Sequence, residues 1–162
     1  MTAPRLRHHH VALRVADVDA SLQWYAQAFG AHEAARFLHD DGTTAALFVE
    51  YLPGHFFELF PGGTTKVEDT AGRIGYRHLG LIVEDLHATL THLAQLDITP
   101  LRPARTVLVR PLGAAEATAF PRQTTYVGDH AGAPLASFAF VSDPDGNQIE
   151  LIELPQPALL WG

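Results

Sequence analysis

The chain contains no cysteine. This excludes disulfides, thiolate metal ligands and a cysteine nucleophile, and leaves only nitrogen and oxygen donors for a bound metal. Charge is sparse too. Asp, Glu, Lys and Arg make up 18% of the 162 residues, and the net charge is −7 with histidine neutral. An acidic balance disfavours nucleic acid or an anionic membrane as a partner, because both require a basic face. No run approaches the roughly 18 continuous apolar residues of a membrane span. The opening MTAPRLRHHH is basic but lacks the apolar core of a signal peptide. A soluble, cytoplasmic protein acting on a small molecule is expected. What the chain does have is apolar residues, 47% of the total and enough for a packed core, together with ten histidines.

One stretch occurs twice. His10 to Gly30, HVALRVADVDASLQWYAQAFG, recurs 68 positions later as His78 to Ile98, HLGLIVEDLHATLTHLAQLDI. His10 falls on His78, Leu13 on Leu81, Asp17 on Asp85, Leu22 on Leu90 and Gln27 on Gln95. Two copies are too few for a solenoid, so a pseudo-symmetric pair is expected. His10 to Val15 alternates like a strand, with His10, Ala12 and Arg14 on one face. Asp17 is placed to cap a helix whose apolar face is Val18, Leu22, Tyr25, Ala26 and Phe29, and Gly30 is placed to end it. Strands are expected at His32 to Leu38, Thr44 to Tyr51 and His55 to Phe60, separated by Asp-Asp-Gly and Pro-Gly turns. The unit reads βαβββ.

The second unit opens with a strand at His78 to Val83, a cap at Asp85 and a Leu86, Leu90, Leu93, Leu96 helix stripe. It then accommodates extra residues, because His10 and Glu58 are 48 positions apart but His78 and Glu150 are 72. Arg105 to Arg110, Gln123 to Val127 and Leu135 to Val141 are candidate strands. Asp143-Pro144-Asp145-Gly146-Asn147 is a hairpin turn leading into a last strand, Gln148 to Glu153. The expected organisation is a first module over residues 8–62, a linker over 63–75, a second module over 76–155 with an insertion at 99–137, and a tail at 156–162. The class is α+β.

Strand parity then singles out two glutamates. Phe56, Glu58 and Phe60 share one face, as do Gln148, Glu150 and Ile152. Each unit therefore offers a histidine on its first strand and a glutamate on its last, and those strands can lie side by side. A carboxylate among Phe and Leu is costly to bury unpaired, which strengthens the case for a ligand role. His10, Glu58, His78 and Glu150 together suit Ni, Co, Zn, Mn or Fe, with positions left open for substrate. His9 competes with His10 for the first role, and the match to His78 favours His10.

HVALRV with its Asp and Ser-Leu-x-x-Tyr helix, GYRHLGLIVEDL, and DPDGNQIELIE together resemble the vicinal oxygen chelate superfamily. This superfamily includes glyoxalase I, extradiol dioxygenases and bleomycin-binding proteins, and the resemblance is nearest to glyoxalase I. It covers about His9 to Leu154 and implies paired βαβββ modules forming a U-shaped cup around a divalent metal. Residue by residue, His10, Glu58, His78 and Glu150 match the four glyoxalase I ligands. The implied activity is a lyase or isomerase reaction, or an epimerase reaction, that moves a proton through a metal-stabilised enediolate. Glu150 is then the main base and Glu58 its partner. Arg14 matches a substrate-binding arginine, and the insertion supplies Arg105, Arg110, Arg122, Tyr126 and His130 as contacts. A homodimer is implied, with the modules paired within one chain or exchanged across two. Two alternatives share the fold: an Fe(II) extradiol-type dioxygenase using His10, His78 and Glu150, and a metal-free drug- or metabolite-binding protein.

Overall fold

The computed structural model of the chain describes residues 8–66, 74–108 and 135–154. Its elements run β1 (His10–Arg14), α1 (Val18–Phe29), β2 (His32–Leu38), β3 (Thr44–Leu52), β4 (His55–Phe60), β5 (Leu79–Ile82), α2 (Leu86–Ala94), β6 (Arg105–Leu108), β7 (Leu135–Ser142) and β8 (Gln148–Glu153). The strands form two four-stranded mixed sheets, β1-β4-β3-β2 and β5-β8-β7-β6. The class is α+β, and βαβββ order is present in both halves. In each sheet the first strand of the unit runs parallel to the last, β1 to β4 and β5 to β8. The chain divides into two compact units, Met1–Ile74 with Asp143–Asn147, and Gly75–Ser142 with Gln148–Gly162. Among the described residues no helix is long and apolar enough to cross a membrane.

Alternation along the strands decides which face is core. In the first sheet Leu13, Val15, Leu47, Val49, Phe57 and Leu59 are buried, together with Val18, Tyr25 and Ala28 of α1. In the second, Ala139, Val141, Ile149 and Leu151 are buried with Leu86 and Leu93 of α2. Burying one face of each strand in this way is the main favourable term in folding. It also fixes register, since a slip of one residue would turn every core side chain outward. The opposite faces carry His10 and Glu58 in one sheet and Glu150 in the other.

Both expected caps are present. The Asp17 carboxylate accepts from the N–H groups of Asp19 and Ala20, and Asp85 accepts from Ala88 N–H at 2.8 Å. Gly30 ends α1 in the left-handed region with φ 71°. The second helix has no glycine at its end and stops at Ala94, so Leu96 lies beyond it. Asp97 takes the left-handed turn instead, at φ 59°. Ile98 N–H then bonds to Leu93 O and Asp97 N–H to Ala94 O, the paired bonds of a Schellman ending.

The apolar face expected for α1 is rotated. Its buried residues are Val18, Ser21, Tyr25 and Ala28, while Ala26 is exposed and Leu22 and Phe29 are only half-buried. The cause is polar. Tyr25 Oη donates to Asp143 at 2.7 Å, Ser21 Oγ donates to Asp145 at 3.3 Å, and Ala16 N–H donates to Asp145 at 3.0 Å. Asp143 also accepts from Asp145 N–H, Asn147 N–H and the Asn147 amide. The turn predicted at residues 143–147 is real, but its two carboxylates are buried and hydrogen-bonded rather than solvated.

The strand expected at Arg105 to Arg110 is β6 over its described part, Arg105–Leu108. The strand expected at Gln123 to Val127 lies outside the described residues. So do Arg110, Arg122, Tyr126 and His130.

Candidate metal centre

In the first unit the parallel β1–β4 register sets Ala12 opposite Glu58 and His10 opposite Phe56. His10 therefore approaches Glu58 diagonally across a small neighbour, and its Nε2 lies 3.2 Å from Glu58 Oε2. The second unit repeats this arrangement. Gly80 sits opposite Glu150, and His78, one residue ahead of β5 rather than within it, brings Nε2 to 3.0 Å from Glu150 Oε2. The small residue leaves room for the carboxylate. A Cβ placed on Gly80 would stand 3.9 Å from Glu150 Oε2, an ordinary contact, in keeping with the alanine at the matching position 12.

Both glutamates are shielded to the same degree, with 19% of each side chain exposed. Two phenylalanines that strand parity does not single out stand across from them. Phe48 on β3 is opposite Glu58, and Phe140 on β7 is opposite Glu150. Each ring also meets its histidine edge to face, Phe48 with His10 at 5.5 Å and Phe140 with His78 at 5.3 Å. The sequence does carry a signal for them. Phe48-Val49, Gly54 and Glu58-Leu59 recur 92 positions later as Phe140-Val141, Gly146 and Glu150-Leu151. This is a second repeat with a different offset from the 68 of the strand-helix repeat, and the insertion hides it.

The donor chemistry fits a divalent ion. Imidazole nitrogen and carboxylate oxygen bind such ions at about 2.0–2.2 Å, so two donors on adjacent positions stand about 3.0–3.5 Å apart. Both His–Glu pairs fall in that range. Distance alone does not decide the matter, because His32 Nε2 also lies 3.1 Å from Glu50 Oε2. That pair is more exposed, at 66% and 26%, and neither repeat provides it with a counterpart. Each unit thus supplies one paired nitrogen and oxygen donor. Among the described residues no group of three or more His, Asp or Glu side chains is assembled as a metal cluster.

The histidine surroundings differ. His10 Nδ1 lies 2.9 Å from His9 Nδ1. His78 Nδ1 is buried with no hydrogen-bond partner among the described residues. Arg14 points along the same face as His10, but its guanidinium donates to Pro61 O at 2.8 Å and lies 5.8 Å over the Phe60 ring. It braces the end of β4 whatever else it contacts. Arg105 begins β6 opposite Phe138, and Phe138 is opposite Ile152 on the Glu150 side of β8.

The Glyoxalase model, which describes the glyoxalase/bleomycin resistance protein/dioxygenase superfamily, matches residues 7–151. Among curated proteins no sequence relative is matched. Solved structures give the same fold at low identity. A glyoxalase/bleomycin resistance protein/dioxygenase from Alicyclobacillus acidocaldarius is 14% identical, with 96% of each chain covered and a TM-score of 0.60. The trypanothione-dependent glyoxalase I of Leishmania major is 23% identical, with 92% of this chain and 87% of that one covered and a TM-score of 0.56. TioX from Micromonospora sp. ML1 is 16% identical, with 91% and 98% covered and a TM-score of 0.54. With two βαβββ units, a His–Glu pair in each and a family match spanning most of its length, this chain belongs to the glyoxalase/bleomycin resistance protein/dioxygenase superfamily.

Proposed function

We propose that the protein is a metal-dependent lyase or isomerase of the glyoxalase I kind, with an epimerase as its nearest variant. It would move a proton on a small oxygenated substrate. The observation that carries this reading is the pairing of both glutamates with a histidine in matching settings, at 3.2 Å and 3.0 Å. A dioxygenase of the same fold requires two histidines and one carboxylate, and would give Glu58 no first-hand role. His10, Glu58, His78 and Glu150 would hold the ion, either within one chain or across a homodimer. When bound, a divalent ion supplies Lewis-acid polarisation of two adjacent substrate oxygens.

The chain's own residues do the remaining work. Glu150 takes the proton from a substrate C–H beside a carbonyl and returns it to the neighbouring carbon. Glu58 serves the other face, so a proton can be delivered to either side. Phe48 and Phe140 keep water off the carboxylates, which limits proton loss to solvent during the transfer. Arg14 has N–H groups beyond the one bound to Pro61 O and would meet an anionic substituent of the substrate. Arg122, Tyr126 and His130 are proposed as further contacts from the insertion.

The test is metal analysis of the purified protein, followed by hemithioacetal isomerase assays with several thiols. Stoichiometric Ni, Co, Zn, Mn or Fe and turnover of one hemithioacetal would support the reading. Oxygen uptake with a catechol would replace it by the dioxygenase. Failure to take up any of these ions on dialysis would replace it by a metal-free binding protein.

A further inference from the structure

We propose that His32 and Glu50 form a second divalent-cation site, suited to Zn²⁺ and independent of the four donors assigned above. The two residues face each other directly across the β2–β3 ladder, which sets their Cβ atoms about 4.5–5.5 Å apart. His32 Nε2 stands 3.1 Å from Glu50 Oε2, a separation that two neighbouring ligands of one zinc ion can bridge. Imidazole with carboxylate suits zinc, whereas magnesium and calcium prefer oxygen donors alone.

The backbone holds both donors in place. Ala31 is buried and its N–H bonds to Tyr25 O at 3.3 Å, so His32 starts β2 from a fixed point at the end of α1. On the facing strand, Glu50 Oε1 accepts from Gly54 N–H at 2.7 Å, in the turn between β3 and β4. That bond orients the carboxylate and leaves Oε2 turned to the imidazole. Outer hydrogen bonds of this sort are what aim a carboxylate ligand at a metal.

The space beside the pair sets it apart from an ordinary surface ion pair. An open cleft of about 270 Å³ is lined by Gly30, His32, Glu50, Tyr51, Leu52 and Pro53. This described lining includes no Lys or Arg to neutralise Glu50. With 66% of the His32 side chain and 26% of Glu50 exposed, an ion reaches both donors from solvent. Two protein donors leave two tetrahedral positions, and the cleft has room for the waters that fill them. The matching positions of the second half are Pro100 at the 68-residue offset and Ser142 at the 92-residue offset, neither an imidazole nor a carboxylate. The site therefore stands outside the repeated chemistry. Because β2 is the outer strand of its sheet, an ion held here ties its first residue to β3 and to the turn that follows.

The test is equilibrium dialysis of the full chain against Zn²⁺, with the bound metal measured per chain. His10→Ala/His78→Ala removes the imidazoles of the other two pairs and should still bind one Zn²⁺. Adding His32→Gln should weaken that binding by at least about 10-fold, the lower end of what even a ligand's outer partner is worth. Adding Glu50→Gln instead keeps an oxygen for Gly54 N–H but removes the charge, and should weaken it likewise. Zn²⁺ should also raise the thermal midpoint of the double variant and not that of the His32→Gln triple variant, since an ion that binds only the folded state stabilises it. A retained Zn²⁺ that is indifferent to His32, or no retained Zn²⁺, would overturn the proposal. If the double variant does not fold, His32→Gln alone decides: it should bind one Zn²⁺ fewer than the wild type, and an unchanged stoichiometry would overturn the site. A wild type whose bound Zn²⁺ depends on His32 but not on His10 or His78 would leave this site standing and overturn the centre proposed above.

Discussion

Around Glu58 and Glu150 the two sheets repeat one another: a small residue opposite on one side, a phenylalanine opposite on the other, and equal shielding. Around the histidines and at the rim they part company. His9 is replaced by Arg77, Arg14 by Ile82, Phe56 by Gln148 and Phe60 by Ile152. The second half is the more polar beside its histidine, with Arg77 and Gln148 for His9 and Phe56, whereas at the other end of the strand Arg14 gives way to Ile82, which is 53% exposed. The common positions surround the two His–Glu pairs, and the divergent ones lie beside the histidines and towards the strand ends.

The sharpest way to break this symmetry is at the carboxylates. Glu150→Gln should lower turnover by about 10²–10⁴-fold, the range of a lost general base, and Glu58→Gln should also lower it, by a smaller factor. Turnover by Glu58→Gln at the wild-type rate would show that the halves are unequal in chemistry as well as recognition. The next largest effect is in the cores. Leu93 in α2 stands where Tyr25 stands in α1, and both are buried. Leu93→Ala should destabilise by about 2–5 kcal/mol through the cavity it leaves. Tyr25→Phe should cost about 1–3 kcal/mol, because it withdraws a donor from the buried Asp143 carboxylate. Urea unfolding checks both, and a Tyr25→Phe variant as stable as wild type would show that the hydroxyl adds nothing beyond packing.

Smaller still is the helix ending. Asp97→Gly, which gives α2 the residue that ends α1, should stabilise by about 0.5–1 kcal/mol by relieving a left-handed backbone at a residue with a Cβ. A lower thermal midpoint would count against strain at that turn. Least of all is an exposed ion pair of the first half. Arg36 bonds to Glu33 at 2.8 Å and holds its carboxyl below the usual value of 4.5, chiefly through that hydrogen bond. A folded-state value below the unfolded one contributes stability that is present above about pH 4.5 and lost as the pH falls through the lower value. Arg36→Met should therefore flatten the acid limb of a stability–pH profile slightly and leave neutral pH almost unchanged. An unaltered acid limb would show that solvent screens the pair completely.

Much of this was readable from residues alone. The repeat at 68 positions exposed both strand-helix openings, the Asp caps and the two histidines, because local periodicity and capping chemistry are short-range properties. Parity then placed Glu58 and Glu150 on the proper faces. Phe48 and Phe140 escaped because a phenylalanine in a strand reads as core, and only pairing across strands reveals that its ring flanks a carboxylate. Ser21 escaped for a related reason. A serine on a helix belongs on the wet face unless a partner reaches it, and its partner is Asp145, 124 positions away.

The bonds from Tyr25, Ser21 and Ala16 to Asp143 and Asp145 also bear on how the chain is made. A ribosome releases α1 long before it releases the carboxylates that α1 needs. Until then the hydroxyls of Tyr25 and Ser21 must stay hydrated, which keeps that helix from settling against its sheet. Contacts this distant in sequence carry a high closure entropy and form late. The amino-terminal unit is therefore begun first but cannot be completed until residues 143–147 have been made, and a nascent chain halted before residue 143 should hold α1 loosely, open to proteases that the finished protein resists.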